Sequence, residues 1–148
     1  MNTPIPNETD FSGCPDGKWA WKNFGGLTLG EAIEKFKSAP DVYREDFTYM
    51  GPAAFVYYFP AIDQYLRETI GLSEKEREDG RYSWDLSYCI QYQFRDLKSK
   101  LAPIANSASD LCDFMLQNIE FFIDDCETPS KLEKRWKKVQ RQICEIES

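Results

Sequence analysis

The chain has 148 residues, 42% hydrophobic and 15% aromatic, which suits one domain with a real core and argues against wholesale disorder. Its net charge of −7 argues against free nucleic acid as a partner, because phosphate binding needs clustered Lys and Arg. It has no histidine, which removes the commonest general base and every Ser-His or Cys-His nucleophile arrangement.

Residues 1–27, rich in Pro, Gly and Asn, read as an irregular arm pinned to the domain by Phe11, Trp19, Trp21 and Phe24. Their start has neither a basic nor an apolar segment, so no secretory signal is expected. No apolar run is long enough to span a bilayer, and a cytoplasmic protein with no membrane partner is the default. Thr28 followed by Glu31 is a capping-box pattern, and Leu29, Ala32, Ile33 and Phe36 share one face. A helix is therefore predicted over 28–38, stopped before Pro40. Residues 39–50 read as a loop carrying Asp41, Glu45 and Asp46.

The stretch "YMGPAAFVYYFPAIDQYLRETIGL" carries Phe55, Phe59, Ile62, Leu66 and Ile70 at helical spacing. That phase runs through Pro60, which removes one backbone donor and crowds the carbonyl of Val56. The preserved phase predicts a helix that bends at Pro60 rather than ends there, with Pro52 in its first turn and Gly71 at its stop. Two short helices meeting at Phe59-Pro60 are the alternative. Residues 73–84 read as a charged linker with a turn at Asp79-Gly80.

A helix over 84–101 follows, buried along Leu86, Ile90, Phe94, Leu97 and Leu101, and "APIANSAS" breaks it. Residues 108–125 form a helix apolar around most of its circumference, as a central core helix would be. Thr128-Pro129 caps and starts a last helix that runs to about 146 on Leu132, Trp136, Val139, Ile143 and Ile146. No stretch alternates as a strand does. The expected architecture is all-α, a single-domain bundle of five to six helices over 1–148 with the irregular N-terminal arm packed on it.

The five cysteines (Cys14, Cys89, Cys112, Cys126, Cys144) include no C-x-x-C pair, which fits reduced, mostly buried thiols. Phosphate-loop, dinucleotide, nucleophile-elbow and zinc-protease motifs are missing, so no catalytic, cofactor or metal residues are expected. The densest carboxylate cluster, Asp124-Asp125 with Glu127, falls at a predicted helix C-terminus, where the dipole disfavours it and solvation is its ordinary role.

Two surface features are more informative. Asp110, Asp113, Gln117, Glu120 and Asp124 recur at three-and-four spacing on the 108–125 helix. A stripe of one sign repels itself, so helix stability does not explain it. It is either a solvated face or an acidic surface for a basic partner. Tyr88 and Tyr92 sit four apart, opposite the buried stripe of their helix, with Tyr82 and Trp84 just upstream. Exposed tyrosines are typical interface anchors, unless a neighbouring helix or the arm covers them. The candidate partner-binding residues are therefore Tyr88, Tyr92, Asp113, Glu120 and Asp124. The last helix has the opposite sign: Lys131, Lys134, Lys137, Lys138 and Arg141 form its polar face, with Arg135 at the margin. It reads as a solvated helix whose cations complement an acidic body.

The segments "GLTLGEAIEKF" and "FTYMGPAAFVYYFPAIDQYL" resemble a family of small, uncharacterised bacterial proteins with a G-x-x-L-x-E-A helix start and an F-x-x-Y-x-P-A-like motif. The matching residues are Gly26, Leu29, Glu31, Ala32, Phe55, Tyr58, Phe59, Pro60 and Ala61, within residues 25–72. Phe59 stands where leucine is expected. The resemblance implies no catalytic residues. In size, acidity and cytoplasmic character such proteins are similar to immunity proteins of bacterial toxin systems, an analogy of class. The expected function is a non-catalytic protein-binding module, an immunity-type inhibitor of a cognate toxin domain. A helical adaptor, or a histidine-free carboxylate-dependent enzyme, is the alternative.

Overall fold

In the computed structural model of the chain, the described residues are 4–73, 83–96, 98–122 and 129–147. Every regular element among them is helical. Seven α-helices, α1 (Pro15–Phe24), α2 (Leu29–Ser38), α3 (Pro40–Tyr49), α4 (Pro52–Thr69), α5 (Ser83–Asp96), α6 (Ala105–Gln117) and α7 (Pro129–Glu147), are joined by 3-10 turns at Glu8–Asp10, Lys98–Ile104 and Ile119–Phe121. The all-α class is as expected, with more helices than the expected five to six.

Both additional helices begin at a proline. The arm is irregular only in part: Pro15 occupies the first turn of α1, and Cys14 caps it by accepting the Gly17 amide on its sulfur at 3.4 Å. Proline is well placed there because the first-turn amides have no helical acceptor. Phe11 and Phe24 are buried as expected and Trp21 meets Phe11 edge-on at 5.2 Å, whereas Trp19 is exposed with Lys22 over its ring. Pro40 likewise ends α2 and starts α3, so Pro40–Tyr49 is a helix where a loop over 39–50 is expected. The Thr28–Glu31 capping box forms in both directions.

Helix α4 is continuous through Pro60. Phe55, Phe59, Ile62 and Leu66 are at most 1% exposed, so one apolar face is buried on both sides of the proline. Tyr58, on the same helix, offers its single hydroxyl proton to the carbonyls of Phe24 (2.9 Å) and Leu27 (2.8 Å), tying α4 to the α1–α2 turn. Gly51 precedes α4 at φ 91°, a conformation that favours glycine, and a Cβ there would lie 2.9 Å from the Ser12 nitrogen. The close approach lets the Ser12 amide donate to the Met50 carbonyl at 3.2 Å, closing the N-terminal segment onto the α3–α4 turn.

In the second half, α5 ends at Asp96 and a 3-10 turn carries the chain from Lys98 through Pro103 to α6, which starts at Ala105 rather than 108. Leu86, Ile90, Phe94 and Leu101 are buried as expected. Helix α6 stops at Gln117, not 125, because Asn118 turns its side-chain amide back to the Phe114 carbonyl at 2.8 Å, supplying a donor to the helix end. Leu111, Cys112, Met115, Ile119 and Phe122 are buried on its inner side and along the turn after it. Helix α7 buries Leu132, Trp136, Val139 and Ile143. Leu97, Ile123, Asp124, Asp125, Cys126, Glu127 and Thr128, most of the 73–84 linker, and the side chains of Trp84 and Ile146 lie outside the described residues. Helix α1 packs on α3, α2 on α4, α3 on α5, and α7 on both α5 and α6. No helix of the described residues is long and apolar enough to cross a membrane.

Candidate protein-binding face

Helix α5 is fixed to α3 from beneath. Gln93, 5% exposed, donates its two amide protons to the carbonyls of Phe47 and Thr48, each at 3.0 Å. These belong to the last turn of α3, where carbonyls have no partner within the helix. The clamp places Tyr49, the last residue of α3, beside the tyrosines of α5. Tyr49 meets Tyr92 edge-on at 5.5 Å, and Tyr92 lies 6.4 Å from Tyr88. Tyr88 is 45% exposed, whereas Tyr92 is half-buried with the Arg95 guanidinium 5.0 Å from its ring. Arg135 of α7 reaches Tyr88 from the other side, 5.8 Å from the ring, and donates to Gln91 at 3.2 Å.

This ridge separates two clefts that share Thr48 and Tyr49. The larger, about 690 Å³, runs between the Asp10–Ser12 segment, Cys14, Tyr92 and Lys100. The smaller, about 530 Å³, is bounded by Asp16, Arg44, Glu45, Tyr88 and Arg135. Burial, and after it the neighbouring Tyr88, Asp16, Tyr92 and Glu45, pushes the Tyr49 hydroxyl above the usual tyrosine range, so it stays protonated and able to donate. Cys14 sits at the rim of the larger cleft with its sulfur exposed. The Ser12 hydroxyl (3.1 Å) and then the Gly17 amide donate to that sulfur and hold the thiol below the usual cysteine range.

The expected acidic stripe is divided. Asp110, Asp113, Gln117 and Glu120 are all exposed, but α6 ends at Gln117 and Glu120 lies on the 3-10 turn after it. Asp113 accepts a hydrogen bond from Gln140 of α7 at 2.6 Å. Asp124 lies outside the described residues. Among the described residues, no hydrogen bond, ion pair or ring contact joins Asp113 or Glu120 to Tyr88 or Tyr92. Helix α7 stands between them, meeting α5 through Arg135 and α6 through Gln140. The structure therefore brings the two tyrosines together and leaves the carboxylates on another side of α7.

The three carboxylates expected on a 39–50 loop have separate environments. Asp41 is exposed and Glu45 faces the smaller cleft. Asp46 is buried and accepts from Asn23 at 2.9 Å; burial outweighs that bond and pushes its carboxyl above the usual range. Lys35, near Asp46, donates to the Asn23 carbonyl and lies over the Tyr43 ring at 5.3 Å. On α7, Lys131, Lys134, Lys137, Lys138 and Arg141 are exposed as expected, with Lys137 paired to Glu133 at 2.6 Å. Of the cysteines, Cys89 and Cys112 are buried while Cys14 and Cys144 are exposed, and all four are free thiols. Burial in an apolar site pushes Cys112 up to about 12. The thiols are thus less uniformly buried than the composition implies.

The sequence pattern places Tyr49 in a loop, and only the fold sets it beside Tyr92. Cys14, a residue type that rarely caps helices, carried no start signal beyond the Pro15 that follows it. Comparison of the chain with family models, with characterised proteins and with solved structures finds no match. The functional reading therefore rests on this chain's own surface.

Proposed function

We propose that the chain is a non-catalytic protein-binding module, an inhibitor of the immunity type that neutralises a bacterial toxin by direct binding. The observation that carries this reading is Tyr88, 45% exposed on a helix whose other side is clamped to α3. A large amphipathic side chain held on a rigid element loses little freedom on binding, which is why tyrosines so often anchor interfaces. Tyr49 and Tyr92 extend the contact, and the clefts on either side give a partner's side chains somewhere to enter. The net charge of −7 favours approach of a basic partner, with Asp113 and Glu120 acting on its encounter rather than on the seated complex.

Co-expression with the product of the neighbouring reading frame tests the proposal. Protection from a toxic neighbour, together with a stoichiometric complex that Tyr88→Ala weakens, is the expected result. A harmless neighbour, or no stoichiometric complex, would refute it. A stable homo-oligomer that buries the tyrosines would favour the adaptor reading instead.

A further inference from the structure

We infer that the larger cleft holds a peptide C-terminus of the partner, its carboxylate at the start of α4 and its last amide N–H on Gln93. This inference names the partner's chemistry and rests on the protein-binding reading.

The chain from the end of α3 to the start of α4 lines the cleft, and Gln93 is clamped across it. Two side chains here are buried with a polar atom unsatisfied. Thr48 is 5% exposed, and among the described residues its hydroxyl makes no hydrogen bond. Gln93 is equally buried; the clamp uses both of its amide protons, and among the described residues its Oε1 accepts nothing. A buried polar atom without a partner costs stability, so the fold gives no reason for either. Both side chains line the cleft, where a ligand can complete them.

The neighbouring groups say which ligand. The Tyr49 hydroxyl is protonated and, among the described residues, also makes no hydrogen bond. Helix α4, 18 residues long, starts without a side-chain cap, and the amide of Ala53 on the cleft wall has no acceptor among the described residues. Lys100 adds an exposed ammonium that makes no ion pair among the described residues. The hydroxyls, the helix start and the ammonium call for an acceptor with negative charge, and Gln93 Oε1 calls for one donor. A terminal carboxylate supplies the first, since a helix N-terminus favours an anion, and the amide N–H of the same residue supplies the second. The cleft's own negative groups are already satisfied. Asp10 accepts from the Asn7 amide at 2.8 Å, and the Cys14 sulfur from the Ser12 hydroxyl at 3.1 Å and the Gly17 amide. The volume of about 690 Å³, walled by Phe11, Pro52 and Tyr92, is ample for a short peptide end.

The test is an amide NMR titration of the full chain with N-acetyl-glycylglycine, with its C-terminal amide and acetate as controls. Saturable shifts at Thr48, Gly51, Ala53 and the Gln93 side-chain amide are expected, with both controls binding about tenfold more weakly or worse. Thr48→Val is the decisive variant. It should weaken binding about threefold to tenfold while leaving the urea midpoint equal or higher, because the free protein does not use the hydroxyl. Lys100→Gln should weaken binding about threefold, less at high salt. Equal binding of either control, Thr48→Val binding like the parent, or shifts confined to exposed lysines such as Lys134 and Lys138 would each overturn the inference. The same shifts on concentrating the chain alone would give the cleft to a second copy and overturn it too. A failed titration with Tyr88→Ala still abolishing toxin protection would remove the C-terminus seat and leave the protein-binding reading standing. A successful titration without any toxin partner would keep the seat and remove the immunity reading.

Discussion

Replacing Gln93 by Met keeps the length and nearly the volume of the side chain while deleting both of its donors. In the native chain those donors satisfy the Phe47 and Thr48 carbonyls at 3.0 Å each, from a side chain only 5% exposed. An intramolecular hydrogen bond contributes about 0.5–1.5 kcal/mol net, and a buried acceptor left without a donor costs about 1–3 kcal/mol. Two such bonds give a loss of roughly 2–4 kcal/mol, reduced if water reaches the end of α3. For a chain of this length that lowers Tm by roughly 5–10 °C. Urea titration followed by tryptophan fluorescence measures the loss, and an unchanged m-value would show that the unfolding reaction is the same. Because the clamp also sets Tyr49 against Tyr92, the amide shifts of both residues should move. A loss below about 0.5 kcal/mol would mean that α5 is held to α3 by packing alone. The tyrosine ridge would then lack the rigid support attributed to it.

Phe59→Ala should cost about 3–5 kcal/mol, since the ring is 1% exposed and stands 5.9 Å from Phe55 on the face that passes Pro60; a loss under about 1 kcal/mol would show that this face is not core. All five thiols should react under denaturing, non-reducing conditions. In the folded protein iodoacetamide should modify Cys14 before Cys144 and leave Cys112 untouched, and a native disulfide or early loss of Cys112 would contradict this. Asp46→Asn keeps an acceptor for Asn23 and removes a buried charge. The raised folded pKa of Asp46 means that its favourable contribution is present below about pH 4 and is lost as pH rises through that raised value. The Asn variant should therefore gain stability over the parent as pH increases through that window, and a difference independent of pH would refute the assignment.

The parts of the fold that were legible in the sequence are those set by local chemistry. The Thr28–Glu31 box and the Phe55–Leu66 face needed only short-range spacing, and both form as expected. Prolines 15 and 40 misled because the same residue that stops one helix can begin another: with φ fixed and no amide to satisfy, it suits a first turn as well as a break. The end of α6 turned on Asn118, whose side chain competes for a helix carbonyl that periodicity alone assigns to the backbone. Tyr88 and Tyr92 could be picked out because a single helix places them together. Tyr49, Asp16 and Glu45 join them only through the packing of α1 on α3 and α3 on α5, which no local pattern encodes. Helical spacing carries the acidic stripe past Gln117 to Glu120, but α6 ends at Gln117 and Glu120 falls on the 3-10 turn that follows.

The central claim is that a toxin is held on the tyrosine face. The most direct measurement is its dissociation rate from immobilised wild-type protein and from Tyr88→Ala, Tyr92→Ala and an Asp113→Lys/Glu120→Lys variant, each first shown to be folded by circular dichroism. Buried aromatic anchors contribute about 2 kcal/mol or more each, so either tyrosine replacement should speed dissociation about 30-fold or more. The charge reversals should instead slow association, most strongly at low salt, and leave the dissociation rate nearly unchanged. Wild-type dissociation from both tyrosine variants, with protection from the toxin intact, would contradict the account and place the interface on another surface.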